Sequence, residues 1–436
     1  MVQKSVNAIE TISRDVPIDS DDYTLADFME YKDKDLFAKT AFCFKYVQDW
    51  KSKGTHQHQR PLLSPCQNRV VIFDELSGTE KEMIMMASNN YLGLSTHPRT
   101  VKAATEAVRK YGTGLSGAPM LSGTLDLTRK LEKKIAEFKG TEDAMVFTTG
   151  YSANVGAISG LIRPGDVILI DRLDHASIID GCRLAGGKFK TYKHNDMYSL
   201  EKLLIKCDEE FMGKLIVIDG IFSMDGNMAK VPEIVSLAKK YNARVIVDDA
   251  HATGVIGSHG GGTSDYFALE GEIDVIMGTF SKTLASTGGF IASTKEVVNY
   301  LRYYARSYTF SAAPTPAVLA SVLAGFEVIE EEPELREKLW KNIHYMHDNL
   351  KSMGFDVFPS PPESAIMIIN IGDEVKLRQM SKKVHEEGIY TNAVPFPAVP
   401  KNKVRFRLSL MATHTQEDLD ETLNVMKKVG KAFRII

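Results

Sequence analysis

Met277-Gly278-Thr279-Phe280-Ser281-Lys282, with Gly288-Gly289 shortly after, decides how this 436-residue chain is read. The preceding Ile273-Asp274-Val275-Ile276-Met277 is a short apolar, β-branched run that ends in a turn, which predicts a buried strand. Lysines ordinarily decorate charged helical faces. Lys282 instead leaves the end of a buried strand behind two hydroxyls, Thr279 and Ser281, that are able to bind a phosphate.

The bulk properties direct attention to small ligands. A net charge of -3, from 53 basic and 56 acidic residues, provides no positive field for nucleic acid. No run approaches the roughly 18 to 20 apolar residues of a transmembrane segment, and Met1 to Asp21 is polar without the apolar core of a signal peptide. The expectation is a soluble, cytoplasmic protein. Cys43, Cys66, Cys182 and Cys207 lack CxxC spacing, so neither a zinc site nor a disulfide framework is indicated. His56 and His58 have no neighbours that complete a metal ligand set and read as part of a polar loop.

Between about residues 95 and 300, short apolar runs alternate with amphipathic stretches, the pattern of a mostly parallel sheet covered by helices. Predicted strands are 144–147, 167–170, 215–218, 245–247, 273–277 and 290–292; predicted helices are 98–111, 125–138 and 232–241. After Pro314 and Pro316 come long helices (317–330 and 335–353), short strands (366–371 and 404–410) and a last helix (416–431). This predicts an α/β protein with three parts: an N-terminal arm and small-domain segment over 1–90, a large domain over 91–312, and a smaller C-terminal α/β domain over 313–436. Met83 to Ala87 is left free to pack on either domain.

Other strand ends supply matching chemistry. Asp248-Asp249-Ala250-His251 follows the strand 245–247, at the end where open α/β sheets bind ligands. Asp174-His175-Ala176-Ser177 follows another strand, and His175 could lie flat on an aromatic ring. Thr148-Thr149-Gly150-Tyr151 enters a helix whose free N–H groups and dipole suit a phosphate. A Schiff-base lysine, an acid for a pyridine nitrogen, a stacking group and a phosphate cup are the four requirements of pyridoxal phosphate (PLP).

Taken in order, these segments resemble PLP-dependent enzymes of fold type I and, among them, the α-oxoamine synthases. The resemblance rests on Ser88-Asn89-Asn90-Tyr91-Leu92-Gly93, Thr149-Gly150-Tyr151, Asp174-His175-Ala176-Ser177, His194-Asn195, Phe222-Ser223-Met224-Asp225-Gly226, Asp248-Asp249-Ala250-His251 and Gly278-Thr279-Phe280-Ser281-Lys282. It runs from about residue 85 to the C-terminus. Ala305-Arg306-Ser307, Phe310-Ser311-Ala312, Pro397-Ala398-Val399-Pro400 and the segment from Arg407 to Thr415 are most similar to the serine palmitoyltransferase branch. The resemblance implies that Lys282 carries PLP as a Schiff base, Asp248 holds its ring nitrogen and His175 stacks on the ring. It further implies Ser223 and His251 at the phenolic oxygen and Gly150, Tyr151, Thr279 and Ser281 at cofactor and phosphate. Ser311 would reach the phosphate of the other subunit of a homodimer. Asn90 and Arg407 would hold an amino acid carboxylate, and strand alternation puts Arg405 on the face of Arg407, so either could reach it.

The implied reaction joins an amino acid, best L-serine, to an acyl thioester, best palmitoyl-CoA, with loss of carbon dioxide and formation of a 3-ketosphinganine-type product. Glycine or alanine with another acyl-CoA or an acyl carrier protein is the alternative. Two departures bear on the acyl donor. Gly117-Ala118-Pro119 has proline where the family has arginine, and Thr128 stands where the family has histidine ahead of Leu131-Glu132.

Overall fold

Runs of aliphatic residues that are buried on both faces build the centre of the protein. The strands Val167–Asp171, Lys214–Asp219, Val275–Thr279 and Gly289–Ser293 are buried at every position, and Asp143–Phe147 and Arg244–Asp248 at all but the first. Such burial belongs to a sheet with helices on both faces. In this computed structural model, which describes residues 18–29 and 31–436, the seven-stranded sheet is ordered Asp143–Phe147, Gly289–Ser293, Val275–Thr279, Arg244–Asp248, Lys214–Asp219, Val167–Asp171, Lys188–Tyr192. Only Gly289–Ser293 runs antiparallel to its neighbours. The fold is therefore α/β with a mostly parallel sheet. The polar N-terminal stretch, read from sequence as lacking a signal peptide, lies outside the described residues up to residue 17.

Helix boundaries follow local chemistry. Pro98–Tyr111 opens with proline at its first position, where no N–H is needed, and stops at Gly112. Asp126–Lys139 ends at Gly140, whose φ of 65° is the left-handed conformation that favours glycine. Both pack against Pro316–Glu331. No helix among the described residues is long and apolar enough to cross a membrane.

Two smaller sheets lie outside the central one. Val357–Phe358, Ile366–Asn370, Arg405–Ser409 and Asn392–Val394 form the first, all antiparallel. In the second, Thr79–Met85 pairs antiparallel with Arg69–Asp74 and parallel with Ile389–Tyr390. Ile84 and Met85 thus pair with the C-terminal segment at Ile389 and Tyr390.

Several elements differ from expectation for physical reasons. The strand before Lys282 starts at Val275 and runs to Thr279, because Asp274 is held outside it: its carboxylate accepts from Arg244 Nη1 (2.7 Å) and the Val245 N–H (2.8 Å). Lys188–Tyr192 was not predicted, since an edge strand with only its last residue buried has no apolar run. The helix Ala38–Ser52 was read as part of an arm. Its Phe42, Tyr46 and Trp50 are buried together, whereas Phe44 is exposed. His56 and His58 lie in a loop, as expected, with His58 exposed; their rings pack edge-on against Trp50 at 5.0 and 5.2 Å.

One ion pair is sealed in the interior. Lys139 Nζ lies 3.0 Å from Asp249 Oδ2, both side chains are fully inaccessible, and the ammonium also donates to Thr253 Oγ1 and Gly261 O. Removing one partner strands a buried charge, which costs about 3–5 kcal/mol. Lys139→Met should therefore lower unfolding free energy in urea by about that amount. Lys102→Ala, which breaks an exposed pair with Glu106, should change it by less than about 1 kcal/mol.

Candidate active site

Parallel strands end at one edge of a sheet, so the segments that follow them share a crevice. A cavity of about 330 Å³ opens there. Lys282 enters it three residues past Thr279, the last residue of its strand. The neighbouring strand contributes its last residue, Asp248, and His251 from the turn beyond. Asp219 and Ser223 come from the next strand, and His175 from the one after. Thr149, Gly150 and Tyr151 close the near side with Thr279, Ser281 and Gly288.

Charge in the cavity is arranged around Lys282. The side chain keeps some accessible surface, but desolvation of its ammonium dominates and lowers its pKa to about 8; Asp248 and Asp219 oppose this shift and Arg407 reinforces it. Asp248 is oriented from two sides: Oδ2 accepts from Asn154 Nδ2 at 2.7 Å and Oδ1 from the Ala250 N–H at 2.9 Å. His175 caps the helix Ala176–Leu184, with Nδ1 2.8 Å from Ser177 Oγ. Its desolvation lowers the imidazole pKa. The loop carrying it is stapled by carboxylates: Asp219 Oδ2 accepts from the His175 N–H at 3.1 Å, and Asp174 accepts from the N–H groups of Asp171 and Asp219. Burial, and then Asp219, push Asp174 well above the usual carboxylate range; burial, and then Asp248, do the same to Asp219.

The chemistry of these groups fits PLP. Gly150 and Tyr151 occupy the first turn of the helix Gly150–Leu161, where backbone N–H groups have no intrahelical acceptor and attract an anion. The cup they form with Thr279 is tight. A Cβ at Gly150 would lie 2.7 Å from Thr279 Oγ1, and one at Gly289 would lie 2.6 Å from the Gly150 Cα. Thr279 Oγ1 and Ser281 Oγ are 2.9 Å apart beside this turn.

Three of the residues named from sequence are not part of the cavity lining: Asn90, Arg407 and Ser311. The Asn90 amide donates to Cys66 O and Ser95 Oγ. Arg407 stands just behind, with Nε donating to Ser223 O at 2.7 Å and both Nη atoms directed at Asn89. Arg405 is engaged elsewhere, bonded to the Asp225 carboxylate and to Met224 O. Arg407 has no carboxylate partner among the described residues.

Sequence reasoning passed over Asn154, Asp219, Asn89 and Tyr91. Asn154 was findable, since it lies four residues after Gly150 and so one helical turn along the same face. Asp219, the residue directly after the predicted strand 215–218, carried the same signal as Asp248.

Comparison with known proteins agrees with this geometry. The model of the family described as aminotransferase class I and II matches residues 81–426. Serine palmitoyltransferase of Sphingobacterium spiritivorum is 45% identical over 392 residues, covering 90% of this chain and 96% of that protein. 8-Amino-7-oxononanoate synthase of Thermoanaerobacter pseudethanolicus is 42% identical over 395 residues, covering 91% and 98%. A solved structure described as SPT with PLP internal aldimine superposes with a TM-score of 0.88 at 33% identity, covering 92% of this chain and all of that one. The chain belongs to the aminotransferase class I and II family and, within it, to the PLP-dependent α-oxoamine synthases, which are acyltransferases.

Proposed function

We propose that this α-oxoamine synthase condenses L-serine with a long-chain acyl thioester, palmitoyl-CoA, to a 3-ketosphinganine-type product, a step of sphingolipid synthesis. The observation that carries an amino acid substrate is Arg407, a buried guanidinium beside the Lys282 cavity with only neutral partners among the described residues. A carboxylate placed there gains charge-assisted hydrogen bonds that Arg405, already paired with Asp225, does not offer. The choice of serine and palmitoyl follows the 45% identical relative.

Bound PLP supplies an electron sink for the carbon next to the substrate's amino group. Lys282, with about half of its amine neutral near pH 8, is the nucleophile that holds the cofactor and the base that receives the α proton. Asp248, fixed by Asn154 and Ala250, retains the proton on the ring nitrogen. His175 covers the ring, and Ser223 and His251 meet its hydroxyl. Gly150, Tyr151, Thr279 and Ser281 hold the phosphate. Arg407, with Asn90, orients the carboxylate so that the bond to be broken stands across the ring plane. Ser311 acts across a homodimer interface. In support, Leu121 and Phe310 are 85% and 76% exposed, on loops tied together by the Ala313 N–H to Gly117 O bond.

A second reading concerns the acyl carrier. Pro119 is buried and uncharged, and the Thr128 hydroxyl accepts from the Leu125 N–H as part of a helix cap. Neither position offers the cation that the family pattern has there. An acyl carrier protein thioester, with glycine or alanine as partner, fits that loss. Product masses from serine, glycine and alanine, each offered with long and short acyl-CoA and acyl carrier substrates, separate the two. Ketosphinganine from serine and palmitoyl-CoA supports the first reading; turnover confined to carrier-bound acyl groups overturns it.

Two further outcomes are expected. The rate at which apoprotein takes up PLP should rise with pH through about 8 and then level off, because the attacking amine is neutral above its pKa and protonated below it. An inflection near 10.5 would contradict a desolvated Lys282. Arg407→Ala should raise the KM for the amino acid about 10- to 100-fold, the loss of about 1.5–3 kcal/mol in hydrogen bonds to a charged group. The thioester KM should barely move.

A further inference from the structure

Behind the cavity wall, four donors converge on one atom. Asn89 Oδ1 accepts from Arg407 Nη1 at 3.3 Å, Arg407 Nη2 at 3.2 Å, Ser409 Oγ at 3.2 Å and Tyr91 Oη at 3.1 Å. A guanidinium can only donate, so the Asn89 atom that faces it is the oxygen, and the flip of this amide is determined. An oxygen acceptor in turn draws the single phenolic proton of Tyr91.

The same Tyr91 oxygen lies 2.7 Å from His251 Nδ1. With its proton directed at Asn89, Tyr91 can only accept from the imidazole, so Nδ1 carries the hydrogen. Both rings are neutral. Burial raises the Tyr91 phenol to about 12, and burial, followed by Lys282, Arg407 and His175, holds His251 well below its usual range. A neutral imidazole has one N–H, and with that hydrogen on Nδ1 the other nitrogen is a bare acceptor. Among the described residues, His251 makes its hydrogen bond through Nδ1 alone, and its ring lines the cavity.

We propose that Asn89 and Tyr91 are positioning residues that hold His251 as the Nδ1–H tautomer, so that Nε2 meets the ring hydroxyl of PLP as a hydrogen-bond acceptor. This rests on the reading above that places His251 at that hydroxyl. Arg407 sets the polarity of the chain. Without its guanidinium, Asn89 is free to turn its NH₂ group toward Tyr91; the phenol then donates to Nδ1 and the imidazole hydrogen moves to Nε2. The group that recognises the substrate carboxylate thereby also determines what His251 offers to the cofactor.

Side-chain 15N–1H correlation spectra of histidine-labelled protein read the tautomer directly, before and after PLP is added. His251→Asn identifies the signal among the 11 histidines. The expected wild-type pattern without PLP is a protonated Nδ1 and a bare Nε2. Asn89→Asp, which retains an acceptor that cannot flip, should keep it, while Tyr91→Phe and Arg407→Ala should move the proton toward Nε2. A wild-type Nε2–H signal overturns the proposal, and this result needs no variant to fold. So does a folded Tyr91→Phe protein with its Nδ1–H pattern unchanged. Addition of PLP should shift the Nε2 resonance. If the Nδ1–H tautomer is found but Nε2 does not respond, the placement of His251 at the ring hydroxyl fails, and the acceptor role with it, while the Asn89–Tyr91 chain stands.

Discussion

The site depends on how strongly the protein dehydrates one amine. Lys282 leaves the end of a fully buried strand and reaches a cavity in which desolvation outweighs the attraction of Asp248 and Asp219. An ordinary lysine at neutral pH has almost no free base, whereas one near 8 has a useful fraction while remaining basic enough to take a proton from carbon. The carboxylates keep that shift moderate. If either were replaced by an apolar group, the balance would move further toward the neutral amine.

Holding this balance requires that the surrounding groups stay where they are, and the sheet does that work through main-chain geometry. Five parallel strand ends deliver their following turns to the same crevice, and hydrogen bonds between those turns fix their spacing. Asp174 and Asp219 staple the His175 loop to the neighbouring strand. Asn154 reaches Asp248 from the helix Gly150–Leu161, whose first turn borders the cavity. Asp249, next to Asp248, is pinned by buried Lys139 and by Thr263. Thus the acid opposite Lys282 is held through both its own carboxylate and its neighbour's.

Much of this was legible in the residues. Buried strands are short apolar runs, and the residues just past them, Asp248, His175, Gly150 and Lys282, stand out because polar chemistry at such places is unusual. What sequence left obscure has a common cause. Lys188–Tyr192 is an edge strand without apolar alternation, and the helix Ala38–Ser52 buries only Ala38, Phe42, Tyr46 and Trp50, the three aromatic residues in a small cluster with Ile18 and Phe28. The choice between Arg405 and Arg407 was equally hidden, because alternation gives both the same face. It depends on Asp225, about 180 positions away, which neutralises Arg405 and leaves Arg407 among neutral groups. Contacts across that separation have no local signature.

The most direct test of the account is to reduce the PLP-loaded protein with borohydride and map the labelled peptide by mass. The account predicts that the pyridoxyl group sits on Lys282 and is absent after the same treatment of Lys282→Ala. Label on another lysine, or none on wild-type protein, would contradict it.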